Sequence, residues 1–153
     1  MTSMTPLSLP LQKIDPGLPS PAYAYVGDGG VDLLSVSHFE LPPFKRALVP
    51  CGIALAIPTG YAGLVIPRSG LAIKHGVSLV NSPGLIDSNY RGEIKAVLVN
   101  LDPEETFFIE RGDRIAQLVI IRVPEVSFEI CNILPQTDRG IEGFGSSGVS
   151  SPL

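Results

Sequence analysis

Three observations in this sequence predict an all-β fold. Sixteen glycines and fifteen prolines punctuate 153 residues too often for long helices. Between them the apolar residues fall in runs of about four to eight, the length of strands. In Glu93–Leu101 the alternation is clean, with Ile94, Ala96, Leu98 and Asn100 on one face and Lys95, Val97 and Val99 on the other. A chain of this length is expected to form one domain with its own core.

Composition narrows the partners. With 44% hydrophobic and 17% charged residues and a mean hydropathy of +0.31, the chain is apolar for a small protein, so part of that surface is expected to be covered by other subunits. A net charge of -4 and a pI of about 5.1 leave no basic patch to follow a nucleic-acid backbone. An anionic ligand would need local arginines or a metal. The first 25 residues lack a charged region followed by an apolar one. No apolar run approaches the ~20 residues that span a bilayer. No membrane association and a cytoplasmic location are the expectation. Cys51 and Cys131 lie in apolar contexts with no Cys or His at ligand spacing, and read as two buried thiols in a reducing compartment.

Taken in order, Leu7–Lys13 predicts an edge strand, because its Pro10 is tolerated only where no ladder partner is needed. Gly27-Asp28-Gly29-Gly30-Val31-Asp32-Leu33 follows, a loop whose glycines permit close approach and whose two carboxylates could hold a hydrated cation. Ala47–Ile57 and Tyr61–Pro67 are predicted strands joined as a hairpin through Pro58-Thr59-Gly60. The second delivers Arg68-Ser69-Gly70, in which a guanidinium, a hydroxyl and an exposed backbone N–H make a phosphate cradle. Leu71–His75 predicts a single helical turn, and His38 and His75 are isolated enough to read as structural or surface residues.

In Asn81–Glu93, Pro83-Gly84 is expected at the centre of a type II turn and Ser88-Asn89 at a second bend. Leu85, Ile86 and Asp87 then form a short arm in which apolar residues bracket one carboxylate, with Tyr90 three positions on. Such an arm can frame a small planar ligand or be a plain surface turn. Lys95 lies in the strand beside it, either snorkelling to solvent or meeting a ligand. Thr106–Ile109, Arg114–Val123 and Val126–Ile130 are further predicted strands. Between the first two, Arg111-Gly112-Asp113 spells an adhesive tripeptide but reads as a turn feeding the next strand. Gln117 is that strand's one polar interior residue and needs a partner if buried. The glycine-rich Arg139–Gly148 lacks a Walker A ending and the helix after it, and is either a loose tail or a segment that orders around phosphates and a base.

Five of these stretches, in order and spacing, resemble the five motifs of the trimeric dUTPases. They are Gly29–Leu33, Pro67–Leu71, Gly84–Gly92, Gly112–Leu118 and Arg139–Gly148. Val31 stands where many members carry Tyr, and Leu85 where Val or Thr is usual. The resemblance implies a jelly-roll-like β-sandwich or barrel over residues 1–138, a C-terminal arm over 139–153, and a homotrimer with active sites shared between subunits. It implies Mg²⁺-assisted hydrolysis of dUTP to dUMP and pyrophosphate, which lowers dUTP and supplies dUMP for thymidylate synthesis.

In that reading Asp87 is the general base for in-line attack of water at the α-phosphorus. Tyr90 lies under the deoxyribose and excludes a 2′-hydroxyl. Asn81 and the backbone of Leu85, Ile86 and Asp87 read the uracil edge, and Lys95 contacts the substrate from the adjoining strand. Arg68, Ser69, Gly70 and Gln117 hold the phosphates, and Asp32 binds the metal through its water shell. Arg139, Phe144, Gly145 and Ser146 close over the nucleotide, with Phe144 on the base. Two alternatives are a deoxycytidine nucleotide deaminase on the same scaffold, which would need a glutamate in the uracil-reading arm, and a non-catalytic trimeric nucleotide-binding protein.

Overall fold

A computed structural model describes residues 6–143. In chain order the elements are β1 (Leu11–Lys13), β2 (Val31–Leu34), β3 (Phe39–Leu41), β4 (Arg46–Pro50), β5 (Ile53–Leu55), β6 (Tyr61–Ile66), α1 (Ser69–His75), β7 (Val77–Leu79), β8 (Gly84–Ile86), β9 (Lys95–Asn100), β10 (Phe107–Ile109) and β11 (Arg114–Arg122). The all-β expectation holds, with one helix of seven residues among the described residues. Strands pair in the orders β2-β11-β6-β8, β4-β9-β7, β1-β5 and β3-β10, all antiparallel. No neighbours in any sheet are consecutive in sequence, so the chain crosses between sheets at almost every turn, as in a jelly roll.

The core forms where these sheets face each other. Leu33, Leu41, Val49, Ile57, Ile94, Leu98, Ile109 and Ile115 are buried in it. β9 shows the alternation read from its sequence, with Ile94, Ala96, Leu98 and Asn100 buried and Lys95 exposed. Asn100 is tolerated there because its Nδ2 donates to the carbonyls of Leu41 and Glu105, both at 2.8 Å, and its Oδ1 accepts from the Asp102 N–H at 2.9 Å.

Five local expectations need correction. The predicted Ala47–Pro67 hairpin does not form, although the Pro58–Gly60 turn does, closed by the Tyr61 N–H on the Pro58 carbonyl at 3.2 Å. Gly52, at φ 70°, splits the first run into β4 and β5, which pair with β9 and β1, while β6 joins β11 and β8. Pro83-Gly84 is not a type II turn, since the Ser82–Pro83 peptide is cis and Gly84 lies in the ladder opposite Val65 without positive φ. Val126–Ile130 makes no strand with any of the described residues, and its alternating Val126, Phe128 and Ile130 are all exposed. Strand β1 starts only at Leu11, after Pro10, whose carbonyl accepts from the Ala56 N–H. Cys51 is buried but Cys131 is exposed.

The Arg111-Gly112-Asp113 tripeptide is a turn, as expected, and its groups are used locally. Arg111 clamps Asp15, with Nη2 3.0 Å from Oδ1 and Nη1 on Oδ2, which holds the Asp15 carboxyl below the usual range. The Gly112 N–H donates to the Ser35 carbonyl at 2.8 Å, and Asp113 Oδ2 accepts from the Glu110 N–H at 2.8 Å. The turn thereby fixes where β11 begins.

Candidate active site

Two clefts collect most of the predicted residues. The first opens between β2, β11 and the end of β6, as a cavity of about 660 Å³ lined by Tyr25, Asp28, Asp32, Arg68, Arg114 and Gln117 among others. Asp32 lies directly opposite Gln117, and Gln117 opposite Ile66, so these three positions share one face. β6 then runs out through Pro67 and carries Arg68 to the same mouth. Arg68 Nε lies 3.0 Å from Asp32 Oδ1, and Arg114 Nε 3.4 Å from Oδ2. Arg68 also donates from Nη1 to the Arg114 carbonyl at 3.0 Å, which ties the two guanidinium-bearing segments together. Asp32 Oδ1 is buried and lacks a hydrogen bond, because the Arg68 Nε–H is near it but off line. Ser69 and Gly70 follow Arg68 as exposed residues at the start of α1. Asp28 caps its own loop, with Oδ2 accepting from the Tyr25 N–H at 2.8 Å.

Arg114 belongs to this cleft although strand alternation argues against it. It stands three residues before Gln117, and three is an odd step that would place it on the opposite face. The β11 register shifts between Arg114 and Ala116, a β-bulge that adds one residue opposite β2. Ile115 and Ala116 are consequently both buried, and Arg114 turns to the face of Gln117. The sequence carries no distinguishing sign of this, because Leu118–Ile121 are also adjacent apolar residues without alternation.

The second cleft is a cavity of about 270 Å³ lined by Leu48, Leu85, Ile86, Asp87, Tyr90, Glu93 and Lys95. It gathers the predicted arm and the strand beside it. β8 is an edge strand, paired with β6 on one side only, so its other edge carries free backbone donors and acceptors. The bend after Asp87 is closed by the Tyr90 N–H on the Asp87 carbonyl at 3.1 Å. Arg91 Nη1 braces it, donating to the carbonyls of Ser88 at 2.7 Å and Tyr90 at 2.9 Å. Leu48 and Glu93 line this cleft without having been singled out in the sequence. Glu93 Oε1 accepts from the Gly52 N–H at 2.9 Å, which moors the arm to the β4–β5 elbow.

The remaining predicted residues lie apart. Asn81 is exposed and does not line the cavity, but its Nδ2 sits against Gly84 at the root of β8. Arg139 makes a local contact, donating from Nε to the Glu142 carbonyl at 2.9 Å. Phe144, Gly145 and Ser146 lie outside the described residues. The two clefts share no lining residue, so one chain presents a phosphate-type cradle and a base-type arm as separate surfaces.

The chain is similar to known proteins over nearly its whole length. A Mycobacterium leprae deoxyuridine 5'-triphosphate nucleotidohydrolase is 53% identical over 151 residues, covering 95% of this chain and 98% of that one. A protein of the same name from Nocardia farcinica is 50% identical over 153 residues, covering 100% and 92%. Among solved structures, a mutant Staphylococcus bacteriophage 80alpha dUTPase with dUpNHpp superposes with a TM-score of 0.85 at 27% identity, covering 93% and 99%. The dUTPase family model matches residues 18–148, which include both clefts, and on this evidence the chain belongs to the dUTPase family.

Proposed function

We propose that the protein hydrolyses dUTP to dUMP and pyrophosphate, lowering dUTP and supplying dUMP for thymidylate synthesis. The observation that carries this reading is the second cleft. A single carboxylate, Asp87, lies beside the apolar Leu85 and Ile86, with an aromatic ring and an ammonium next to it. The free edge of β8 offers backbone donors and acceptors of the kind that pair with the amide-like edge of uracil. Tyr90 lies under the deoxyribose, and Lys95 reaches the substrate from β9. Asp87 takes a proton from a water that attacks the α-phosphorus, and the bond from that phosphorus to the bridging oxygen breaks in line, releasing pyrophosphate. Arg68, Ser69, Gly70 and Gln117 hold the phosphate chain, so that charge growing on the leaving group meets fixed donors.

Among the described residues Mg²⁺ fits this donor set through Asp32. Among the described residues no three His, Cys, Asp or Glu side chains cluster as a metal cage. Asp32 offers one buried oxygen without a hydrogen bond, flanked by two arginines, and this suits contact with the water shell of an ion carried by the triphosphate. When bound, the ion would neutralise charge on the phosphates.

The two clefts become one site when the cradle of one subunit meets the arm of the next, which makes the active form a homotrimer. The exposed Leu48 on β4 and Val80 just after β7, and the exposed Val126, Phe128 and Ile130, supply apolar surface for such contacts. Residues 139–153 form the arm that closes over the nucleotide. Two free thiols fit a cytoplasmic location. No helix among the described residues is long and apolar enough to cross a membrane. Assays with dUTP and dCTP side by side, with and without Mg²⁺, test the reading. Pyrophosphate release from dUTP that depends on Mg²⁺ supports it, and turnover of dCTP alone refutes it.

A further inference from the structure

We propose that Gly92 sets sugar discrimination by positioning Tyr90, an inference that rests on the reading of Tyr90 as the residue beneath the deoxyribose. The backbone at Gly92 does not require glycine, because its φ lies outside the left-handed region. What requires glycine is the ring. A Cβ at position 92 would stand against Tyr90 Oη, 2.6 Å from Cζ and 3.0 Å from Cε2, closer than a side chain tolerates. The phenol also donates to the Glu93 carbonyl at 3.0 Å. Tyr90 therefore rests on the chain two residues ahead of it, held at its tip by one hydrogen bond and seated by the missing side chain. The Arg91 brace and the Tyr90 N–H bond fix the backbone before Gly92, and the Glu93 carboxylate on the Gly52 N–H and the Ile94 N–H on the Ile53 carbonyl fix it after, so a methyl at position 92 would displace the ring rather than the loop. The ring borders the cavity that holds Leu85, Ile86 and Asp87, and excluding one hydroxyl group depends on where that ring lies. Gly92 touches no substrate itself and acts only through Tyr90.

The test compares kcat/KM for dUTP and UTP in the wild type, Gly92→Ala, Tyr90→Ala and the double variant, with Tm recorded for each. Gly92→Ala is expected to lower the dUTP-to-UTP preference on the order of tenfold. In the Tyr90→Ala background the same change should alter the preference less than about twofold, because a residue acting through Tyr90 has nothing left to act on. A purely structural role would weaken both nucleotides together and leave the ratio where it was. An unchanged ratio in folded Gly92→Ala, or equal effects in both backgrounds, overturns the proposal. If Tyr90→Ala itself leaves the ratio unchanged, the fault lies in the role given to Tyr90 and the inference falls with it. Tyr90→Phe, which does not depend on Gly92→Ala folding, should keep the preference within about threefold, since the ring still rests on glycine. A loss as large as that of Tyr90→Ala would contradict seating by Gly92.

Discussion

Asp87 follows an edge strand rather than lying in the core, so its carboxylate can meet water while Ile86, packed against the core, holds the strand in place. Asp87→Asn keeps the shape and an acceptor but removes the base. Hydrolysis should fall below detection while dUTP affinity stays within roughly tenfold, as single-turnover kinetics and equilibrium binding would show. Near-normal turnover would end the assignment. Cys51 and Cys131 make a second residue-scale contrast. Burial, aided by the Glu93 carboxylate, pushes the Cys51 thiol up to about 12, so it carries almost no thiolate at neutral pH. Iodoacetamide at neutral pH should therefore leave Cys51 unmodified in the native protein and label it only after denaturation, read by mass spectrometry of peptides. Native labelling of Cys51 would mean that the β4–β5 elbow opens.

At the scale of elements, the sequence was most legible where one residue type has one use. β9 could be read from alternation alone, and the motif stretches could be placed on strands and turns because Gly, Pro, Asp and Arg are restricted in what they do there. Strand partners were not legible. The hairpin chemistry of Pro58-Thr59-Gly60 is genuine, yet the flanking strands enter different sheets, because pairing is decided by long-range packing that no local turn encodes. The β11 bulge was missed for a related reason, and with it Arg114, since one inserted residue inverts every parity inference upstream of it. Val126–Ile130 has a strand's pattern and no strand partner among the described residues. The segment after it gives an element-scale prediction. Deleting residues 139–153 should leave a folded protein of unchanged assembly with kcat/KM for dUTP reduced by at least about a hundredfold, because the removed groups act on the reacting complex. Full activity in the truncated protein would assign residues 139–153 no part in the site.

For the whole molecule, the separation of the two clefts is the fact that matters. The cradle of Asp32, Arg68 and Gln117 and the arm of Asp87, Tyr90 and Lys95 have no lining residue in common, and in the function proposed above a neighbouring subunit brings the second to the first. In the proposed homotrimer a closed three-fold ring would repeat that juxtaposition at each interface. Sharing is tested most directly by complementation. Arg68→Ala and Asp87→Asn, each inactive alone, are refolded together at equal concentration, and mixed trimers are verified by native mass spectrometry. Random assembly makes about three quarters of the trimers mixed, and each of these has one interface where an intact Arg68 meets an intact Asp87. Recovery of about one quarter of wild-type activity is the predicted result. Verified mixed trimers that remain inactive would contradict a site shared between subunits.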